Sequence, residues 1–254
     1  MKKRFLLIAL VAFCTLDVFG WGATGHRATG YIAEQYMSKK ALKKVRALLG
    51  GQSLAMVTTW MDEVRSDSTF NHMTDWHWVT IPYGTTYAAS VKNPNGDIIM
   101  TIERCVAELK TGKLSPEEQA LRIRILAHLL GDLHQPLHVG GRNDRGGNDV
   151  KVNWFREESN LHRVWDSDMI DDTKLSYTEL AESLRKPSAA ELKLWRKYDV
   201  LGWAAESQSY EKPVYDIGNG KLGYRYSYQY FPIVRQRLLQ AGIRLASILE
   251  EIYG

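Results

Sequence analysis

The stretch His128-Leu-Leu-Gly-Asp132-Leu-His134-Gln-Pro136-Leu-His138 constrains this chain more than any other. An α-helix turns once in about 3.6 residues, so His128 and Asp132, four apart, set an imidazole above a carboxylate on one face. That is metal-ligand spacing. Pro136 cannot continue the helix and biases Gln135 towards an extended conformation, which puts His138 on a loop able to fold back to the same region. The same i, i+4 pair recurs as His162 and Asp166 in Asn160-Leu-His-Arg-Val-Trp-Asp166, expected on a second short helix. His134, two residues beyond Asp132, points about 200° away around the helix and is assigned a structural role.

The start of the chain reads as a leader. Lys2, Lys3 and Arg4 precede an apolar run from Phe5 to Phe13, and Val18-Phe-Gly20 offers tolerated residues before a cut, the pattern of a secretory signal peptide over residues 1–20. Bulky Phe13 directly before Cys14 argues against lipid attachment. The run is too short to cross a bilayer and nothing later approaches the length needed, so no stable membrane anchor is expected. The expected location is periplasmic or secreted, with Trp21 as the new first residue.

Lys and Arg number 33 against 29 Asp and Glu; without Lys2, Lys3, Arg4 and Asp17 the balance is 30 to 28. Such a nearly neutral chain has no broad basic face with which to attract nucleic acid. Only Cys105 lies beyond the leader, so no intramolecular disulfide can form there. At 44% hydrophobic, residues 21–254 can bury a substantial core. They contain no repeat, low-complexity tract or interdomain linker and imply no protein partner. The expectation is one mainly α, multi-helix domain.

Local signals place the candidate ligands. Trp21-Gly-Ala-Thr-Gly-His26 leads into a helix with Ile32, Ala33 and Tyr36 on its apolar side; a free α-amino group at Trp21 would itself be a ligand once deprotonated. Ser38 caps a helix that Gly50-Gly51 ends. Ser53 opens another from Leu54 to Val64, with Asp62 and Arg65 on one face. His77 and Trp78 follow in an aromatic segment. Asp97 to Lys110 has helical periodicity, and the capping box Ser115-Pro-Glu-Glu118 opens the central helix. Gly140 to Asn148 forms a loop, and the alternation of Val150 to Phe155 predicts a short strand. A second box, Ser188 to Glu191, starts a long helix expected to run to about Tyr210. A last amphipathic element from Tyr226 to Tyr253 is expected to be interrupted near Pro232.

Any one of the seven histidines is more often a core or surface residue than a ligand. The interlocking spacing of His128, Asp132, His138, His162 and Asp166 reverses that expectation. Imidazole and carboxylate donors without thiolate suit zinc ahead of manganese or iron. His72 has no partner at a defensible spacing.

Taken together, Trp21 with His26, Trp60-Met-Asp62, His77, the run from His128 to His138, Gly146-Gly-Asn148, Asn160-Leu-His162 to Asp166, and Trp203-Ala-Ala-Glu-Ser207 resemble the zinc-dependent single-strand nucleases. That family includes plant nuclease I, secreted fungal enzymes and bacterial homologues, and is similar in fold to bacterial zinc-dependent phospholipase C. The resemblance implies a phospholipase C/zinc nuclease fold with a trinuclear cleft. One zinc would be held by Asp62, His77, His128 and Asp132, a second by the amino nitrogen and carbonyl oxygen of Trp21 with His26 and the same Asp132, and a third by His138, His162 and Asp166. Asp62 would orient the nucleophile, Arg65 would neutralise charge on phosphate, and Trp78 and Asn148 would contact substrate. Single-stranded DNA, RNA and 3′-nucleotides would be substrates, with 5′-phosphorylated products.

Two departures stand out. The fungal enzymes pair cysteines, which this chain cannot do, and Thr80 stands where they place an aspartate to hold a base, so their base preference is not carried over. Rival readings are a phospholipase C and a non-catalytic exported zinc-binding protein. The five-residue spacer from Trp21 to His26 and an aspartate as the last ligand, Asp166, favour the nuclease over the phospholipase.

Overall fold

The computed structural model describes residues 20–254. The leader expected over residues 1–20 lies, but for Gly20, outside the described residues. Among those described, no helix is long and apolar enough to cross a membrane.

The chain opens with α1 (Ala23–Tyr36) and α2 (Lys39–Leu48). Ser38 caps α2 by accepting the Ala41 N–H, and Gly50 and Gly51, both at positive φ, end it. The continuous helix expected from Leu54 to Val64 is instead α3 (Leu54–Val57), α4 (Trp60–Glu63) and a 3₁₀ turn. Thr58 and Thr59 mark the break. The Asp62 amide donates to the Thr59 carbonyl at 3.1 Å, which leaves the Thr58 carbonyl outside the helical ladder.

A 3₁₀ stretch ending at His77 leads into β1 (Val79–Thr80), followed by α5 (Ile98–Lys110), capped by Asp97, and α6 (Pro116–His134), opened by the Ser115–Glu118 box. Gln135 is extended (φ −83°, ψ 116°), Pro136–His138 make a single turn, and β2 (Val139–Gly140) pairs in parallel with β1, Val79 opposite Val139. The strand expected near Val150 is β3 (Lys151–Trp154), which forms a hairpin with β4 (Glu157–Asn160). Then α7 (Leu161–Arg163) passes through a wide π-type turn, Val164–Asp168, into α8 (Met169–Asp171).

After α9 (Tyr177–Glu182), the long helix expected from Ser188 is divided into α10 (Ala189–Trp195) and α11 (Val200–Gln208). Asp199 accepts the Gly202 N–H at 2.9 Å and caps a fresh start, a signal outweighed in the sequence by the apolar periodicity on either side. The short α12 (Glu211–Val214) precedes β5 (Lys221–Leu222), which pairs with β3, and the chain closes with α13 (Tyr224–Tyr253). Contrary to expectation, α13 runs through Pro232 unbroken. Pro232 and Tyr228, whose carbonyl loses its amide partner, are both exposed, so water can take the place of the missing bond.

Two apolar clusters fill the interior. One gathers α2, α3, α5, α6, α11 and the end of α13; the other gathers Trp21, α1, β3, α7, α8 and the first half of α13. Helix α1 closes on its neighbours through glycine contacts. A Cβ on Gly30 would lie 2.7 Å from the Ala55 backbone in α3, and one on Gly242 of α13 would lie 2.5 Å from the Ile32 side chain. Because backbone cannot yield as a side-chain tip can, Gly30→Ala is expected to lower the unfolding free energy by about 1–3 kcal/mol, read as a shifted urea midpoint.

Candidate metal centre

Helix α6 brings His128 and Asp132 to one face, and both are fully buried. Asp132 is the hub. Its Oδ2 lies 2.9 Å from His77 Nδ1 and 3.1 Å from His128 Nε2, while Oδ1 lies 3.2 Å from His26 Nε2. His26 stacks on His128 with ring centroids 4.0 Å apart. Asp62 reaches in from α4, its Oδ1 3.8 Å from His128 Nε2. A second group forms where the turn after α6 meets α7: His162 Nε2 is 2.9 Å from Asp166 Oδ2, and His138 Nε2 is 3.9 Å from Asp166 Oδ1. The π-type turn lies within this second group, consistent with the frequent use of such widened turns at functional sites.

Backbone carbonyls fix the imidazoles. His128 Nδ1–H donates to the Thr58 carbonyl (2.6 Å), that of His138 to His77 (2.7 Å) and that of His162 to Gly146 (2.6 Å). Each bond commits Nδ1 and turns Nε2 towards a carboxylate, the arrangement that orients metal-binding histidines. The break between α3 and α4 releases the Thr58 carbonyl for this use. Gln135, fully buried, donates Nε2–H to Asp166 Oδ1 at 2.5 Å and accepts the Leu137 N–H.

Burial and neighbouring charge act against each other at several of these groups. It works to raise the Asp132 pKa, but the His128 and His138 imidazoles hold it well below the usual carboxylate range. Burial likewise pulls His128 down, yet Asp132 and Asp62 lift it to about 9. His26 is lowered by burial and by neighbouring His128, burial takes His138 down to about 4, and burial pushes Asp166 up to about 7.

Cations fit this donor set. His26 Nδ1 and Nε2, Asp62 Oδ1 and Asp132 Oδ1 are buried without a hydrogen-bond partner, a costly state that a cation would relieve. Three groups have ligand atoms within 4.8 Å of one another: His26, Asp62 and His128; His77, His128 and Asp132; and His138, His162 and Asp166. His128 is common to the first two groups, which divide the residues differently from the expected sets: Asp62 falls with His26, and Asp132 with His77. Trp21 is fully buried beside His26, and the Gly22 N–H donates to the Asp166 carbonyl at 2.7 Å. Backbone before Trp21 lies directly on the hub, since a Cβ at Gly20 would fall 1.6 Å from Asp132 Oδ1.

A cleft of about 580 Å³ opens beside His162, walled by Trp78, Thr80, Pro82, Arg142 and Arg145. Arg65 stands 3.8 Å from Asp62 Oδ1. Asn148, expected to touch substrate, is buried and donates Nδ2–H to the Arg145 carbonyl at 2.9 Å, so here it braces the loop. His134 and His72 stay outside the centre: His134 faces Arg244 at 2.7 Å, and exposed His72 contacts the Thr69 carbonyl.

Two contributors escape a reading of the sequence. Gly131 sits mid-helix because a Cβ there would meet His26 Nδ1 at 2.8 Å; a glycine between two ligand-spaced residues was its only signal. Gln135 gave none beyond its place before Pro136.

A buried cluster of imidazoles and carboxylates beside an open cleft has the donor chemistry of a metal centre. The S1/P1 Nuclease family model matches residues 21–254, and the chain belongs to that family, enzymes that hydrolyse phosphodiester bonds. It is similar to Endonuclease 3 of Arabidopsis thaliana, at 31% identity over 92% of this chain and 89% of the relative. Nuclease P1 of Penicillium citrinum is 25% identical over 92% and 98%, and Nuclease S1 of Aspergillus oryzae 25% over 92% of each.

Gln135→Leu removes the bond that orients Asp166 and is expected to weaken metal binding at the His138 group by about 10–100-fold. His134→Gln is expected to keep full metal content while lowering stability. Metal titration and urea unfolding of both variants separate the two roles.

Proposed function

We propose that this chain is a zinc-dependent enzyme that hydrolyses single-stranded DNA and RNA to 5′-phosphorylated products, accepts 3′-nucleotides, and acts outside the cytoplasm after residues 1–20 are removed. The observation that carries the reading is the pairing of a thiol-free donor set, buried except for Asp62, with a cleft whose wall carries an aromatic ring. Three ions would be held by Asp62, His77, His128 and Asp132; by Trp21, His26 and Asp132; and by His138, His162 and Asp166. Zinc there supplies Lewis acidity, polarising phosphoryl oxygens and making water a stronger acid.

The protein's own groups account for the rest. Asp62 is 15% exposed, whereas Asp132 and Asp166 are buried, so Asp62 is the carboxylate of the set that incoming water can reach. It orients that water and receives its proton. Arg65 beside it places positive charge where the phosphorane-like transition state gathers negative charge. Trp78, half-buried at the cleft wall, offers a ring on which an unpaired base can stack, a contact worth roughly 1–3 kcal/mol and tolerant of base identity. Recessed donors exclude a regular duplex, whose phosphates cannot reach them without unpairing.

The test is hydrolysis by protein that begins at Trp21, after chelation and after zinc replacement. Zinc-restorable cleavage of single-stranded RNA and DNA, with 5′-phosphate ends and no cleavage of phosphatidylcholine, is the expected result; zinc-loaded protein that cuts no nucleic acid would overturn the proposal. A form carrying extra residues before Trp21 is expected to bind one zinc fewer, by metal analysis, because its α-amino group is tied up in a peptide bond. Full zinc content in that form would remove Trp21 from the ligand set.

A further inference from the structure

The loop from Gly140 to Gly147 carries more charge into the cleft than the proposed chemistry uses. Arg142, Asn143 and Arg145 line the wall beside Trp78 and Thr80, and no lining residue is acidic. Asp144, in the middle of this run, is turned elsewhere, accepting the Gly147 N–H at 3.1 Å and the Tyr215 hydroxyl at 2.6 Å. The fold thus sequesters the loop's carboxylate and leaves its guanidiniums at the cleft.

The two arginines are held differently. Arg142 gives Nε–H and Nη2–H to Glu211 Oε1, at 2.9 and 2.6 Å, and lies 3.9 Å over the Tyr215 ring, which fixes its plane. Arg145 has a side chain 62% exposed, with Asp149 3.4 Å away as a surface partner. Its backbone is at φ +55°, a conformation that disfavours side-chain-bearing residues other than Asn and Asp, yet an arginine occupies it.

Resting on the nuclease reading, with a base stacked on Trp78, we propose that Arg142 and Arg145 select that base, favouring guanine over adenine. A guanidinium presents two parallel N–H donors, and guanine offers two adjacent acceptors, O6 and N7. Adenine sets its N6 amino donor against the same fork. Stacking area is nearly equal for the two purines, so edge chemistry decides between them. Thr80, short and uncharged in the same lining, supplies no carboxylate to reward an amino group.

The experiment compares kcat/KM for the dinucleoside monophosphates GpU and UpG against ApU and UpA, on zinc-loaded protein beginning at Trp21. These substrates carry no phosphate except the scissile one, so a preference cannot arise from a second phosphate on the arginines. Guanine is expected to be favoured about ten-fold in one of the two orders. Arg145→Lys keeps the charge but loses the fork, and Arg145→Gly loses both while suiting the positive φ; each is expected to reduce that ratio several-fold at unchanged zinc content. Equal cleavage of guanine and adenine substrates, or a ratio untouched in both variants, would overturn the inference and leave the nuclease reading standing. A variant that slows both purines equally, with loss relieved by the lysine, would assign the arginine to phosphate and overturn it too. Failure to cut any of the four, or any single-stranded RNA, would bring down the nuclease reading and this inference with it.

Discussion

Asp132 is a carboxylate with no access to water, and the architecture around it follows from that fact. Burying a lone charge is prohibitive, so the surroundings must return what solvent gave. Two imidazoles do so at Oδ2, His77 from the aromatic stretch before β1 and His128 from a turn earlier on the same helix, while His26 of α1 stands 3.2 Å from Oδ1 and leaves that oxygen to a cation. Packing of α1 against α6 is thereby tied to one carboxylate, and Gly131 is the position that lets the His26 ring come so close.

The end of α6 is held from behind by a second polar system. The Arg237 guanidinium, fully buried, donates to the His134 carbonyl and to Ser207 Oγ, and Ser207 in turn donates to the Leu133 carbonyl. Glu206 balances Arg237 and Arg244 at 2.5 and 2.6 Å. These contacts take up carbonyls that a helix C-terminus leaves unsatisfied. They also fix the direction in which the chain leaves Asp132 on its way to His138. His134, with its pKa held far down by burial and by the two arginines, is neutral and serves as part of this brace.

Much of the centre is legible in the sequence because its strongest signals are local. The His128–Asp132 and His162–Asp166 pairs need only helical periodicity, and the boxes at Ser115 and Ser188 mark helix starts that the structure reproduces. Failures cluster where tertiary demands override local preference. Nothing between Ser53 and Val64 announces that the helix must part at Thr58, because the cause is an imidazole seventy residues away that needs its carbonyl. The run from Ser188 splits at Asp199, and α13 absorbs Pro232, for reasons of capping and solvent exposure that periodicity does not carry. Gln135 and the sharing of His128 between ligand groups are likewise products of distant segments meeting.

The imidazoles and carboxylates of this centre are scattered from His26 to Asp166, and the elements that aim them reach as far as α13. The His138, His162 and Asp166 group falls within one short stretch of chain, but the contacts around Asp132 join residues far apart in sequence, the slow class of event in folding. Metal affinity that depends on such a site is also folding free energy, gained only when the last segment docks. A chain of this design carries its own proofreading: while any one segment is misplaced the centre is missing a ligand or its support, and a half-folded molecule has no working centre.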